Sequence, residues 1–379
     1  MLSKFVLLAA TAVTLGGSPA LANPDPDMPA PSAAASDGDE TSSTIIVTGT
    51  RAKGITQAES PTPIKVFDGA ALSKVGQPSL NQVLTQLVPS FSVQNFGGNT
   101  SNLTLAATLR GLSPNHTLVL INGKRRHGSA NFQVSGGAYG GGAAPDLDLI
   151  TPESINHIEV LEQGAAAQYG SDAIAGVINI ILKDKSRGGT FVGNAGANYN
   201  TGGLTGGSAL NLGTRLGADG FLNITASHRY QDYTLIGGLD KRVVDANGNL
   251  LSTLSPAQKA LYANLPGFPQ VNQINGNARS HLTNLQYNAG YDLGAVQLYS
   301  FGGYSRKVAY SIQNVRLPDR IIGSATLGVA GTLGAPGSVL FSATGFTPLI
   351  SIREDDFSFT AGAKGKVAGF NFDLSGTWG

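Results

Sequence analysis

The feature that most constrains the fold is an alternation of apolar and polar residues that recurs through the second half of the chain. Residues 370–378 read Phe-Asn-Phe-Asp-Leu-Ser-Gly-Thr-Trp, and residues 222–227, 285–293 and 357–367 follow the same rule. Successive side chains of a strand point to opposite faces of its sheet, so each stretch predicts a β-strand with one apolar face. Strands of this kind build either a membrane β-barrel or a soluble β-sandwich.

The lengths of the connections favour the barrel. Short turns are predicted at residues 216–220, 292–295 and 367–369, and they alternate with long connections at 231–280 and 307–352. Outer-membrane barrels have short turns on the periplasmic side and long loops outside. A chain that starts in the periplasm would place its long loops outside, as this rule requires.

The first 22 residues have the features of a secretory signal. Lys4 precedes an apolar stretch, and Ala-Leu-Ala at residues 20–22 fits a cleavage site. No later segment has the roughly 18 continuous apolar residues of a transmembrane helix. The chain has no cysteine, so a disulfide scaffold and thiolate metal sites are excluded.

A flexible linker and a short isolated strand are predicted next. Residues 23–43 are rich in Pro, Ala, Asp and Ser and cannot bury enough apolar surface to fold. Residues 44–51 then read Thr-Ile-Ile-Val-Thr-Gly-Thr-Arg, a β-branched run that ends at glycine. Such a strand can add to the sheet edge of another protein, or it can be an ordinary first strand of the domain that follows.

Residues 55–187 predict a small α+β domain. Apolar residues at helical spacing predict a helix at 79–88, with Ser79 as N-cap and Pro89 as the stop. A buried strand and Asn-Gly at 122–123 predict a tight hairpin. A short helix at 151–155, with Thr151 as N-cap, precedes strands at 158–161 and 177–181.

Several spaced motifs in this domain resemble those of the TonB-dependent outer-membrane receptor family. Leu-Arg-Gly-Leu at residues 109–112 resembles the family's LRG element, and HTLVLINGKR at 116–125 resembles its central strand and turn. DLDLI at 146–150 followed by INHIEVL at 155–161 resembles a paired stretch of the family. The glycine-rich segment at 164–179 resembles the family's final plug element. The strand at 44–51 resembles the family's TonB box.

The resemblance implies an α+β plug domain followed by antiparallel transmembrane β-barrel strands. It implies that the protein lies in the outer membrane of a Gram-negative cell, in contact with its lipid, with the N-terminus in the periplasm. Uptake of an iron-siderophore complex, haem, cobalamin or a saccharide would be energised by the TonB protein. The residues expected to bind TonB are Thr44, Ile45, Ile46, Val47 and Thr48. Arg110 and Glu159 are expected to be plug charges that face polar groups of the barrel.

A glycine-rich stretch at residues 125–144 is the candidate ligand-facing surface. Glycine permits unusual backbone conformations, and long irregular segments often bind ligands. His127, Asn131, Gln133 and Tyr139 are therefore expected to face an incoming ligand at the plug apex. The alternative is a polar loop without a ligand.

Other function classes have little support. A formal net charge of +1 gives no attraction for nucleic acid. The five histidines have no metal-ligand spacing, and neither a cofactor fingerprint nor a catalytic constellation is present. An enzyme or adhesin built on a β-sandwich is disfavoured by the plug motifs, which leaves a non-enzymatic receptor or a chain that conducts nothing.

The strand count predicts an incomplete barrel. The domain boundaries are expected at 1–22 for the signal, 23–43 for the linker, 44–54 for the TonB box, 55–187 for the plug and 188–379 for the barrel portion. A plugged barrel has about 22 strands, whereas this sequence predicts seven. The seven strands are therefore expected to belong to a fragment or a truncated product. The seven predicted strands are centred near Ala195, Leu210, Ala226, Tyr287, Tyr299, Ala361 and Leu374.

Overall fold

A computed structural model describes residues 64–93, 100–132, 140–163, 165–198, 202–234, 237–271, 276–324, 333 and 335–379. The expected signal segment, linker and TonB box lie outside the described residues. No helix in the described part is long and apolar enough to cross a membrane.

The N-terminal domain, residues 64–182, is built on a five-stranded mixed sheet. The order of its strands in the sheet is β1-β6-β7-β4-β5, and β4 and β7 run parallel. A short hairpin of β2 and β3 lies apart from the sheet. Its elements are β1 (Ile64–Asp68), α1 (Gly69–Val75), α2 (Leu80–Leu87), β2 (Phe91–Ser92), β3 (Thr108–Leu109), β4 (Thr117–Ile121), β5 (Lys124–Arg125), β6 (Ile155–Leu161), α3 (Ala165–Tyr169) and β7 (Gly176–Leu182).

Local sequence signals explain these elements. The helix α2 buries Leu80, Val83 and Leu84, as its apolar spacing predicts. At the turn between β4 and β5, Asn122 and Gly123 have φ angles of 49° and 77°. Two positive φ angles are the requirement of the type I′ turn, so the predicted hairpin is confirmed. The short helix predicted after Thr151 is a single 3₁₀ turn, Pro152–Ser154.

The core of the domain is apolar. Leu84, Leu109, Ile158 and Ile178 lie in one cluster and are fully buried. Phe301, which belongs to the second half of the chain, packs into the same cluster. The domain therefore has its own hydrophobic core, to which the rest of the chain adds the aromatic side chains of Phe301 and of the partly buried Tyr299.

The second half of the chain forms one antiparallel sheet of seven strands, called the wall below. The strands follow one another across the sheet in chain order, β8-β9-β10-β11-β12-β15-β16, and the two strands between β12 and β15 form a separate hairpin. All seven predicted strand centres fall inside these strands, which confirms the predicted architecture. The strands are β8 (Gly189–Asn198), β9 (Gly202–Leu216), β10 (Gly220–Gln231), β11 (Arg279–Asp292), β12 (Val296–Ile312), β15 (Leu349–Val367) and β16 (Phe370–Trp378).

The strand ends differ from the prediction at one long connection. A loop was expected from Lys307 onwards, but β12 continues to Ile312 and β15 starts at Leu349. Lys307 is fully buried on the inner face of the wall. In a sequence, a lysine usually predicts an exposed position. The charge of Lys307 is instead paired with Asp146 inside the protein.

The described residues of the two long connections fold against each other into a small unit, the loop module, residues 237–271, 313–324 and 335–348. It contains the helix α4 (Pro256–Tyr262) and the hairpin β13 (Ile322–Ser324) and β14 (Ser338–Leu340). Val243, Tyr262 and Leu317 share a buried cluster drawn from both connections. The Tyr262 hydroxyl donates to an Asp319 carboxylate oxygen at 2.5 Å. The end of the wall that carries the module is called the long-loop end.

Candidate functional site

The inner face of the wall meets the N-terminal domain mainly through polar side chains. The inward positions of β10 and β11 carry buried Asn223, Thr225, Arg229, Asn284 and Asn288. The register pairs Asn223 with Asn288 and Asn284 with Ser227 across the two strands. The polar phase of the alternation therefore faces the domain, and the apolar phase faces outward.

Four charged side chains form the centre of this contact, and we call them the ion cluster. Lys307 Nζ lies 2.7 Å from Asp146 Oδ2 and 3.6 Å from Asp148 Oδ2. Arg229 donates through Nη2 to Asp148 Oδ2. The side chains of Lys307, Asp146 and Asp148 are at most 2% exposed. Two positive charges from the wall are thus buried against two negative charges of the domain.

A 3₁₀ turn at Leu147–Leu149 presents both carboxylates to the wall. Leu147 and Leu149 of the turn are buried in the N-terminal domain, so Asp146 and Asp148 point the other way. Asp146 Oδ1 caps the turn by accepting from the backbone N–H of Asp148 at 2.9 Å. Its other oxygen, Oδ2, remains for Lys307.

The surroundings of Asp148 favour its charged form. Burial alone would raise the pKa of Asp148, but the charges of Arg229 and Lys307 outweigh burial. Hydrogen bonds from Arg229 and from Ser79 Oγ at 2.9 Å act in the same direction. Together they lower the pKa of Asp148 to about 2. Asp148 is therefore ionised at neutral pH, whereas burial raises the pKa of Asp146.

This shift predicts a loss of stability in acid. A carboxyl whose folded-state pKa is depressed stabilises the fold above its unfolded pKa, about 3.9, and loses that effect as the pH falls through 2. We expect ionised Asp148 to add about 2 kcal/mol to the free energy of unfolding, and this contribution should be constant above about pH 5. Calorimetry of the wild type and the Asp148→Asn variant checks this, because only the wild type should lose this contribution between pH 4 and pH 2. Parallel losses in both proteins would contradict it.

Neutral hydrogen bonds surround the ion cluster. Gln286 Nε2 and Ser305 Oγ both donate to the backbone oxygen of Leu149, each at 3.2 Å. The Thr151 hydroxyl lies 2.8 Å from Ser227 Oγ and accepts from Asn284 Nδ2 at 3.0 Å.

Similar bonds extend toward both ends of the wall. Asn288 Nδ2 donates to the backbone oxygen of Lys183 at 3.0 Å. Near the long-loop end, Asn102 Nδ2 donates to Ser311 Oγ at 2.7 Å. Apart from Phe301 and Tyr299, which pack against the core of the domain, the contacts that we describe between the domain and the wall are polar or ionic.

The two motif charges expected to face the barrel have partners within the N-terminal domain. Arg110 is exposed, with a φ angle of 56°, and donates to the backbone oxygen of Ile174 at 2.7 Å. Glu159 is fully buried and accepts from Asn179 Nδ2 at 2.9 Å. Its strand, β6, lies between β1 and β7 in the middle of the sheet, so this carboxylate takes part in packing within the domain.

The residues expected at the apex are partly described. His127 Nε2 lies 2.8 Å from Asp356 Oδ2, beside the Arg126–Asp356 pair. Asn131 Nδ2 donates to Thr104 Oγ1 at 2.6 Å. Gln133 and Tyr139 lie outside the described residues, as do Thr44, Ile45, Ile46, Val47 and Thr48.

The segment that contains His127 runs along the inner face of the wall from the short-turn end toward the long-loop end. Lys124 Nζ lies 3.0 Å from Asp373, near the short-turn end, whereas Ser129 Oγ donates to Glu354 at 2.9 Å, nearer the long loops. The start of the glycine-rich stretch therefore rises toward the long-loop end.

Sequence reasoning missed the ion cluster. In the sequence, Asp146 and Asp148 stand out only as part of a motif, and Lys307 marks the start of a predicted loop. Arg229 carries a usable signal, because it continues the polar phase of Asn223, Thr225 and Ser227 on one strand. A charge in the inward phase of such a strand needs a partner inside.

Comparison with known proteins identifies the N-terminal domain. Residues 56–177 match the family model described as the TonB-dependent receptor plug domain. The chain is 32% identical over 234 residues to a vitamin B12 transporter of Vibrio vulnificus, covering 56% of this chain and 36% of that protein. It is 31% identical over 150 residues to the ferric enterobactin receptor PirA of Pseudomonas aeruginosa, covering 38% of this chain and 19% of that protein.

Solved structures show the same fold over most of the chain. A mutant ferric enterobactin receptor from Pseudomonas aeruginosa superposes with a TM-score of 0.54 at 17% identity. The match covers 82% of this chain and 39% of that receptor. The chain thus spans well under half the length of the relatives it matches, and its resemblance to them includes both the N-terminal domain and the wall.

Proposed function

Residues 56–177 of this chain are the plug domain of a TonB-dependent outer-membrane receptor, and from this premise we propose that the protein takes up a scarce small ligand by energised transport. The family consists of receptors and transporters, not enzymes. The wall is then the part of the barrel that surrounds the plug. Its long-loop end faces the outside, and its short turns face the periplasm.

The polar contact between plug and wall is the observation that carries this proposal. The plug has its own apolar core cluster, and the apolar side chains on the outward face of the wall are exposed. The contact between the plug and the wall is made mainly by the ion cluster and by hydrogen bonds from Gln286, Ser305 and Asn284. A neutral hydrogen bond contributes only about 1 kcal/mol, because water can replace its partner. A contact of this kind can open under a pull and close again.

The pull would come through the predicted TonB box. Thr44–Thr48 would pair with TonB as an added strand, and main-chain hydrogen bonds along the strand would transmit the force. The linker before it and the plug after it would leave this strand accessible from the periplasm.

The ligand class is proposed from the relatives and from the plug apex. Relatives are named for vitamin B12 and for ferric enterobactin, so an iron chelate or a cobalamin is the first candidate, with haem and saccharides as further ones. His127, Asn131, Gln133 and Tyr139 would face the ligand. In support, the stretch that begins at Arg125 rises toward the long-loop end.

Growth of a deletion strain tests the proposal. The strain is grown on a panel of iron chelates, haem, cobalamin and oligosaccharides as the limiting nutrient, with and without the gene restored, and in backgrounds with and without TonB. We expect restored growth on one class of nutrient, and only where TonB is present. Equal growth with and without the gene on every nutrient would favour the alternative of a chain that conducts nothing.

A further inference from the structure

The outer face of the wall changes character along the strands. Its middle is an apolar band in which Leu212, Ile224, Leu285, Phe357 and Phe359 are 39–51% exposed. The register places Leu285 and Phe357 on either side of Tyr304, so the band crosses neighbouring strands at one level. Under the proposed function, this band faces the hydrocarbon of the membrane.

Aromatic and basic residues replace the band toward the long-loop end. Arg306 is the next outward residue of β12 after Tyr304, and Tyr230 pairs with His281 across β10 and β11. Neighbouring outward positions are two residues apart, or about 7 Å, so Arg306 lies directly above the band and Tyr230, His281 and Arg353 lie one outward position further along. The aromatic-basic rim consists of Tyr230, Arg279, His281, Arg306, Tyr310 and Arg353.

The arginines of the rim are only partly neutralised. Arg306 Nε and Arg353 Nε each lie 3.9 Å from one carboxylate, that of Asp355. The Tyr304 hydroxyl also donates to Asp355, at 2.6 Å. Arg306 and Arg353 are 46% and 64% exposed, so both guanidinium groups are open to the surroundings. Two positive charges therefore share one negative charge on the outer surface.

Arg279 differs from this pair. It lies 2.7 Å from Asp232 and stacks over the ring of Tyr233 at 4.5 Å. Its charge is matched, and its contacts hold the end of β11 to the residues after β10. The excess positive charge of the rim is thus concentrated at Arg306 and Arg353.

We propose that Arg306 and Arg353 bind the phosphate of a lipid headgroup in the leaflet around the receptor. Guanidinium groups bind phosphate oxygens through paired N–H donors. Tyrosine at this level suits the boundary between hydrocarbon and headgroups. A lipid fits better than a free phosphate ion because the apolar band continues directly below the arginines, where the acyl chains would lie. This inference rests on the proposed function in one respect, which is that the wall is inserted in a membrane.

The test measures lipid binding to the protein purified in detergent from membranes of a strain that produces it. The variant is Arg306→Gln with Arg353→Gln, and Arg306→Lys with Arg353→Lys retains the charge. The control, Lys241→Gln with Lys259→Gln, removes the same charge from the loop module, away from the apolar band. The probes are diphosphorylated lipid A, the same lipid without its phosphates, and inorganic phosphate, each followed by native mass spectrometry.

We expect the glutamine variant to bind diphosphorylated lipid A about tenfold more weakly than the wild type, and the control variant to match the wild type. The lysine variant should retain most of the affinity, and the dephosphorylated lipid should bind the wild type and the glutamine variant equally weakly. Equal binding of diphosphorylated lipid A to the wild type and the glutamine variant would overturn the inference. Full displacement by inorganic phosphate would overturn its assignment to a lipid. Recovery of the protein outside the membrane fraction would overturn the proposed function instead.

Discussion

Replacing Lys307 with Met is expected to weaken the docking of the plug by about 3–5 kcal/mol, the usual cost of removing one partner from a buried ion pair. Methionine keeps most of the volume of lysine but leaves Asp146 without its cation, and Asp148 with Arg229 alone. An uncompensated carboxylate in a buried site loses its hydration without a replacement. Hydrogen exchange of the plug amides should be roughly 10²–10⁴-fold faster in the variant.

Two further variants make this result specific to the ion cluster. Lys124→Met removes another ion pair between plug and wall, in which Lys124 Nζ lies 3.0 Å from Asp373. The side chains of Lys124 and Asp373 are 22% and 33% exposed, in contrast to the buried ion cluster. Partly exposed pairs contribute about 1 kcal/mol or less, so exchange in this variant should change little. Adding Asp146→Asn to Lys307→Met should recover part of the loss, because the two residues are in contact. Equal effects of Lys307→Met and Lys124→Met would show that burial of the cluster is unimportant.

The sequence was most informative where local rules decide the structure. Alternation predicted four strands of the wall, β10, β11, β15 and β16, because one face meets lipid or solvent and the other meets protein. Asn122-Gly123 predicted a type I′ turn, since both positions need a positive φ angle. The polar character of the contact between plug and wall also follows from the inward phase of these strands.

Local rules did not predict the contacts that join distant residues. Ser79 and Thr151 are the N-cap residues of their helices, as predicted, but neither side chain makes the capping hydrogen bond. The Ser79 hydroxyl donates to Asp148, and the Thr151 hydroxyl contacts Ser227 of the wall. Thr151 and Ser227 are 76 residues apart in sequence, so no local pattern could pair them.

Contacts between distant residues also explain why the burial of Lys307 and the folding of the loop module were not predicted. Lys307 pairs with Asp146 across 161 residues, and a lysine in isolation predicts exposure. The loop module depends on Tyr262 and Asp319, which come from two different connections. Each connection alone looks like an irregular loop, because its apolar residues find their partners only in the other one.

A disulfide between plug and wall is expected to abolish uptake. The Thr151 and Ser227 oxygens lie 2.8 Å apart, so cysteines at these positions need only a small shift to reach the S–S distance of about 2.0 Å. The chain contains no cysteine, and the new bond would be the only one. A covalent bond across the contact prevents the plug from leaving the wall, whatever force is applied to the TonB box. Ligand binding at the outer surface should be unaffected.

A second disulfide, confined to the wall, is the matched control. Thr360 and Thr377 face each other on β15 and β16 with their hydroxyl oxygens 3.1 Å apart. Cysteines at these two positions introduce the same chemistry without crossing the contact between plug and wall. Uptake by this variant should equal that of the wild type, both before and after reduction.

The most direct test of a plug that is held by releasable contacts is therefore the uptake of labelled ligand by cells that carry the Thr151→Cys/Ser227→Cys receptor, measured before and after reduction. The ligand is the nutrient that the growth panel identifies. We predict background uptake with the disulfide closed, full surface binding in the same cells, and recovery of uptake once the disulfide is reduced. Full uptake through a receptor whose disulfide is shown to be closed would contradict the account.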